Sequence, residues 1–189
     1  MADHTLYITG AGVSAESGIP TFRGRDGFWT FGSHNYTPQE MAMRQMYLSH
    51  PDEFLLWYFK RFASYRHIEP NTVHHWLKDK RLVTQNIDGL DGKAGNVAYV
   101  PIHGRLDKVT VLHEQGLDVP LLDAPWEDVA AACDDLEDNE RLTPILLDAF
   151  KISKKTLTPE TDISLKPFVL LFDEYYTDLY RMSEAEDWM

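Results

Sequence analysis

The run Gly10-Ala11-Gly12-Val13-Ser14-Ala15-Glu16-Ser17-Gly18-Ile19-Pro20-Thr21-Phe22-Arg23-Gly24 constrains this chain more than any other stretch. It follows directly on an apolar segment, Leu6-Tyr7-Ile8-Thr9. A strand that enters a glycine-rich turn and then a small-residue helix builds a cradle for a diphosphate. Gly10 and Gly12 allow a tight turn and a close approach of backbone to phosphate oxygens. The N–H groups and positive dipole end of the helix then point at the anion. No Gly-Lys-Ser/Thr follows the glycines, which excludes a P-loop nucleotidase. A hydride-transferring dehydrogenase also lacks support, because no acidic ribose ligand follows a second strand about 20 residues on.

With 189 residues, 43% of them hydrophobic, the chain is long enough for one domain with a real core. Eighteen basic residues against 30 acidic ones give a net charge of −12, so no dense basic stripe is present to neutralise a nucleic acid. No apolar run approaches the roughly 20 residues of a membrane span. The N-terminus, Met1-Ala2-Asp3-His4, lacks the basic and apolar regions of a secretory signal. Cys133 is the single cysteine, which rules out an intrachain disulfide and fits the cytoplasm.

Periodicity and punctuation supply a coarse map. Residues 5–9 read as a buried parallel strand, and residues 24–36 as a mobile loop over the site. Thr37-Pro38-Gln39-Glu40 is a capping box, so a helix starts there. A second helix starts at Ser49-His50-Pro51-Asp52-Glu53 and runs towards Arg66, and Asn71 caps a third. Arg81 to Gln85 and Val97 to Ile102 read as strands, ending at the polar groups Asn86-Ile87-Asp88-Gly89 and His103-Gly104. Asp107 to His113 alternates like a strand, while Pro125 to Leu136 and Pro144 to Phe150 have helical spacing. Lys166 to Phe172 reads as an apolar strand. Strand, helices, strand, strand, with polar groups at the strand C-termini, is the pattern of an α/β nucleotide site.

Three blocks in this order, Gly10 to Gly24, Thr84-Gln85-Asn86-Ile87-Asp88-Gly89-Leu90 and His103-Gly104, resemble the sirtuins, which are NAD-dependent protein-lysine deacylases. The resemblance implies an α/β fold, a Rossmann-like parallel sheet with a small helical subdomain, shortened at its C-terminus. It implies NAD as cofactor and an acyl-lysine protein or peptide as partner. His103 would be the general base, removing a proton from a ribose hydroxyl; its ordinary pKa suits that task. Asn86 would orient water and ribose, Asp88 would hold the nicotinamide or ribose end, and Gln85 would contact ribose hydroxyls. Gly10, Ala11, Gly12, Ala15, Glu16, Ser17, Thr21, Phe22, Arg23 and Ile87 complete the implied NAD contacts. Phe22 would shield the reacting sugar and Arg23 would face the diphosphate. Tyr58 and Arg61 share a helix face and resemble the pair that binds succinyl or malonyl carboxylates in one sirtuin subgroup.

The resemblance covers roughly residues 5–104 and Lys166 to Glu174, where Asp173 and Leu171 stand in place of the family's glycine and tryptophan. Asp91 sits where many relatives have histidine. The family's structural zinc site uses two Cys-x-x-Cys pairs; Cys133 alone cannot supply it, so no metal is expected. The expected organisation is a single domain over 1–189. Residues 1–112 and 166–189 would form the Rossmann-like part, with a helical insertion at about 25–80, and 113–165 a divergent helical insert in place of the zinc module. The Gly-Thr-Ser loop and later Asn that bind the adenosine half of NAD in the family are missing. A partner chain or oligomer is one way to complete such a sheet; a compact variant or a fragment are the others. Deacylation is the favoured activity. NAD hydrolysis or ADP-ribosyl transfer, and a non-catalytic NAD-binding module, are the alternatives.

Overall fold

The computed structural model describes residues 5–21 and 35–189. The loop expected over the site, with Phe22 and Arg23, falls mostly outside the described residues. Strand β1 (Leu6–Thr9) is followed by a 3-10 helix, Ala11–Ser17. Helices α1 (Pro38–Met41), α2 (Arg44–Ser49), α3 (Pro51–Arg61) and α4 (Thr72–Leu77) lead to β2 (Arg81–Thr84). Then come α5 (Leu90–Lys93), β3 (Val100–Pro101), β4 (Gly104–Val111), β5 (Leu122–Asp123), α6 (Trp126–Ala132), α7 (Asn139–Ala149), β6 (Leu165–Val169) and α8 (Met182–Trp188).

Two sheets organise these elements. The first is parallel, in the order β1-β2-β3, with Thr9 opposite Thr84 and Thr84 opposite Pro101. All three strands therefore stop at one level. The glycine loop, the segment 85–89 and His103 emerge together from that edge, where ligands of open α/β sheets bind. The second sheet is antiparallel, in the order β5-β4-β6.

Local chemistry explains most boundaries. The Thr37 hydroxyl accepts from the Glu40 amide while the Glu40 carboxylate accepts from the Thr37 amide, closing the capping box that starts α1. The Asn71 side chain accepts from the amides of Val73 and His74 at the start of α4.

Three expectations need correction, and the place of two strands is added to them. The segment after the glycines is a 3-10 helix of seven residues, stopped by Gly18 at φ 96, whose N–H reaches the Ala15 carbonyl. The strand expected over Val97 to Ile102 is confined to Val100–Pro101, because Asn96 Oδ1 accepts from the amides of Ala98 and Tyr99 and holds that stretch in a turn. The last helix of the insert starts at Asn139 rather than Pro144, capped by the Asp138 carboxylate. Strands β4 and β6, within the stretches expected to form the Rossmann-like part, lie in the second sheet rather than beside β1–β3. Gly104, at φ +87, turns the chain out of β3 so tightly that a Cβ there would stand 2.1 Å from the Phe168 carbonyl oxygen, and β4 pairs with β6 instead.

Most of the core belongs to one cluster. It packs α1–α3 against α6, α7 and the inner face of the second sheet around Phe54, Tyr58, Trp126, Leu142, Leu146 and Phe150. The parallel sheet is covered by two small clusters, Leu77/Leu82/Tyr99 and Val83/Val100/Ala185.

Candidate active site

At the C-terminal edge of the parallel sheet the backbone is tied before any side chain is considered. Gln85 N–H donates to the Thr9 carbonyl at 3.1 Å and Ile102 N–H to the Thr84 carbonyl at 3.0 Å. Thr9 donates its hydroxyl to Thr84 Oγ1 at 2.9 Å, and the same oxygen accepts from Asn86 N–H at 3.1 Å. These ties set the directions of residues 85–88.

Ser14 lies at the centre of the polar side chains there and is fully buried. Its hydroxyl donates to Asp88 Oδ2 at 2.6 Å and accepts from Asn86 Nδ2 at 3.1 Å. It also lies 3.4 Å from His74 Nε2. The His74 Nδ1 accepts from the Asn71 backbone N–H at 3.2 Å, so Nε2 carries the proton and donates to Ser14. Burial lowers the His74 pKa, which favours this neutral form. One donor and two lone pairs exhaust the capacity of a hydroxyl, and all are used. Asn86 spends its second amide hydrogen on the Gly10 carbonyl at 3.1 Å, which leaves Oδ1 as its hydrogen-bonding atom for a ligand. Asp88 is fixed at its other oxygen by Leu90 N–H at 2.9 Å.

His103 stands beside this floor. Its Nδ1 is 3.0 Å from the Gln85 carbonyl oxygen, an obligate acceptor, so Nδ1 carries the proton and Nε2 the lone pair. Nε2 lies 2.8 Å from the Tyr176 hydroxyl. Burial lowers the His103 pKa, with the Gln85 carbonyl partly offsetting it. Asp91 is 2% exposed, its Oδ1 has no partner among the described residues, and burial next to Asp88 raises its pKa to about 7.

A cleft opens above the floor between Ala11, Ser14, Ile19 and Pro20 on one side, Phe62, Tyr65 and Leu106 on another, and Asn86, Ile87 and Asp88 below. A Cβ on Gly12 would meet nothing within 4 Å among the described residues, and its φ lies outside the left-handed range. Neither packing nor backbone strain thus demands glycine there, and the open space in front of it suits a ligand.

The Sir2 family model matches residues 10–186. The chain belongs to the Sir2 family. It is 41% identical over 110 residues to NAD-dependent protein deacylase 1 of Archaeoglobus fulgidus, covering 54% of this chain and 43% of that protein. It is 33% identical over 137 residues to NAD-dependent protein deacylase 2 of Pyrobaculum aerophilum, covering 69% and 53%. The solved structure of a Sir2 homologue in complex with NAD superposes with a TM-score of 0.64 at 27% identity, covering 97% of this chain and 62% of that one. The chain spans about half the length of the curated relatives it matches.

Against this Sir2 framework the expected site residues divide. Ala11, Asn86, Ile87 and Asp88 line the cleft, while Gly10 is tied to Asn86 and His103 to the Gln85 carbonyl. Ala15 and Glu16 are exposed, and the Ser17 hydroxyl accepts from Asn71 Nδ2 at 3.0 Å, a tie between the 3-10 helix and α4. Thr21 ends the first described segment, and Phe22 and Arg23 lie outside the described residues. Tyr58 is 1% exposed and stacked between Phe54 and Trp126, and it is not among the residues lining the cleft. Phe62 and Tyr65 take that place at the end of the same helical segment.

Sequence reasoning missed Ser14, His74 and Tyr176. The first was readable as a polar residue amid small ones in the glycine run. The second was readable as a histidine at the third position of a capped helix. Nothing in the sequence pairs Tyr176 with His103.

Proposed function

We propose that this protein is an NAD-dependent protein-lysine deacylase with His103 as general base. The observation that carries the reading is the fixed tautomer of His103: the Gln85 carbonyl, one residue before Asn86, holds the proton on Nδ1, so Nε2 is the basic atom. Burial keeps the imidazole in its neutral, proton-accepting form near neutral pH. A ribose hydroxyl would pass its proton to Nε2 while the lysine's acyl group moves onto the sugar. Asn86 Oδ1 and the Asp88 carboxylate, held rigid through Ser14, would orient the ribose and the departing nicotinamide. The backbone at Gly10, Ala11 and Gly12 would face the diphosphate. The products are nicotinamide, free lysine and O-acyl-ADP-ribose. The one cysteine, Cys133, is buried and unpaired, in keeping with work in a reducing cytoplasm.

Tyr58 and Arg61 extend the reading to the acyl group. The Tyr58 hydroxyl is buried without a partner among the described residues, an arrangement that costs about 1–3 kcal/mol. The carboxylate of a succinyl or malonyl lysine would supply that partner, with Arg61 one turn on.

The test incubates the protein with NAD and one lysine peptide in acetylated, succinylated and unmodified forms, following nicotinamide and peptide mass. Acyl-dependent release, cut by at least about 100-fold in His103→Ala, is expected. Release without any acyl peptide would assign the site to NAD hydrolysis or ADP-ribosyl transfer. No release under any condition would leave a nucleotide-binding module.

A further inference from the structure

The Tyr176 contact has no counterpart in the chemistry so far described. We propose that Tyr176 is a positioning residue acting through His103: it caps Nε2 in the ligand-free protein, and its hydroxyl must be exchanged for one brought by the ligand. The geometry points one way. Nδ1 is committed as donor to the Gln85 carbonyl, so Nε2 can only accept, and at 2.8 Å the tyrosine hydroxyl is the donor. The two rings lie 5.9 Å apart at an interplanar angle of 30°.

The residues before Tyr176 hold it there. Leu170 N–H donates to the His103 carbonyl at 2.9 Å and Phe172 N–H to the Ala42 carbonyl at 3.0 Å. The Asp173 carboxylate accepts from the amides of Arg44 and Gln45. Glu174 bridges Arg44 at 2.8 Å and Lys166 at 3.1 Å, with its side chain 4% exposed. Tyr175 is tied at both ends to Gln115. The segment is thus anchored along its length, while the Tyr176 side chain itself is 46% exposed.

Two consequences follow from a donor on the base nitrogen. It stabilises the neutral imidazole and so weakens the base, and it competes with any incoming hydroxyl. A ligand that displaces Tyr176 without offering a donor would leave the Nε2 lone pair unpaired, so the cap selects for a sugar bearing that hydroxyl. Only hydrogen bonds are exchanged; no covalent bond forms or breaks.

The effect on turnover rests on the reading of His103 as base, but the contact itself does not. The experiment therefore titrates His103 by NMR, its signal identified by its loss in His103→Gln, in the wild type, Tyr176→Phe and Tyr175→Phe. Tyr176 is the only titratable side chain hydrogen-bonded to His103 among the described residues; burial and the Gln85 carbonyl are the other influences on it. Losing one net hydrogen bond should raise the proton affinity of His103 by about 2- to 10-fold in Tyr176→Phe. Diethyl pyrocarbonate should modify Nε2 faster by a similar factor. Tyr175→Phe, which loses an anchor in the same segment, should leave both unchanged. Equal effects in the two variants, or none in Tyr176→Phe, would overturn the cap. If His103 shifts as expected but neither protein releases nicotinamide with acyl peptide, the cap stands and the deacylase reading falls.

Discussion

The floor of the cleft and the helical body beside it are built by opposite means. The floor, at the end of a short parallel sheet, rests on two apolar clusters of three buried residues each, and its order comes from saturated polar contacts around Ser14. The helical body, including the stretch from β4 to α7, owes its order to a continuous apolar cluster with stacked aromatic rings. The part with recognisable motifs is therefore not the part that holds most of the core. A directional polar network fixes atoms to within a hydrogen bond's tolerance, which a site needs. Apolar burial is indifferent to such detail but supplies most of the stability.

The comparison breaks first at Trp126. Its ring is 2% exposed, packs against Tyr58, Phe59 and Phe150, and its indole N–H donates to the Leu106 carbonyl at 2.7 Å. Trp126→Ala should lower stability by about 3–5 kcal/mol, checked by urea unfolding. A loss below about 1 kcal/mol would mean that the helical insert is not what holds the body together.

Ser14→Ala tests the other side. It leaves His74, Asn86 and Asp88 each short of one hydrogen bond, and water can reach the cleft-facing partners. A stability loss of about 1–3 kcal/mol is expected, smaller than at Trp126. Nicotinamide release should nevertheless fall more than a proportional loss of folded protein explains, because Asn86 and Asp88 lose their common anchor. Equal losses in unfolding and turnover would make Ser14 an ordinary packing residue.

Legibility from sequence follows the same divide. The glycine run, Asn86-x-Asp88 and His103 sit at strand ends, where short spacings of glycine and polar residues make type and position readable together. The capping box at Thr37 and the cap at Asn71 were readable for the same reason. Between β4 and β6 the demand is only for apolar residues at helical or alternating spacing. Many sequences satisfy it, and the pattern says nothing of which sheet a strand will join. The move of β4 and β6 into their own sheet depends on a contact between Gly104 and Phe168, 64 residues apart, which no local pattern records. Tyr176 and His103 meet for the same long-range reason.

Tyr58 lies where the two regimes touch, and its substitution sharpens the comparison with the smallest effect. The phenol is surrounded by the aromatic cluster, yet its hydroxyl is unpartnered among the described residues, and burial pushes its pKa far above the ordinary tyrosine range. If it is only a core residue, Tyr58→Phe removes an unpaired polar atom and stability should stay level or rise by up to about 1 kcal/mol. If it awaits an acyl carboxylate, the same variant keeps that stability but loses activity on the succinylated peptide while retaining it on the acetylated one. Thermal unfolding and the two peptide rates, measured on one preparation, separate these outcomes. A fall in stability would contradict both, because it would require that the hydroxyl already has a partner in the folded protein.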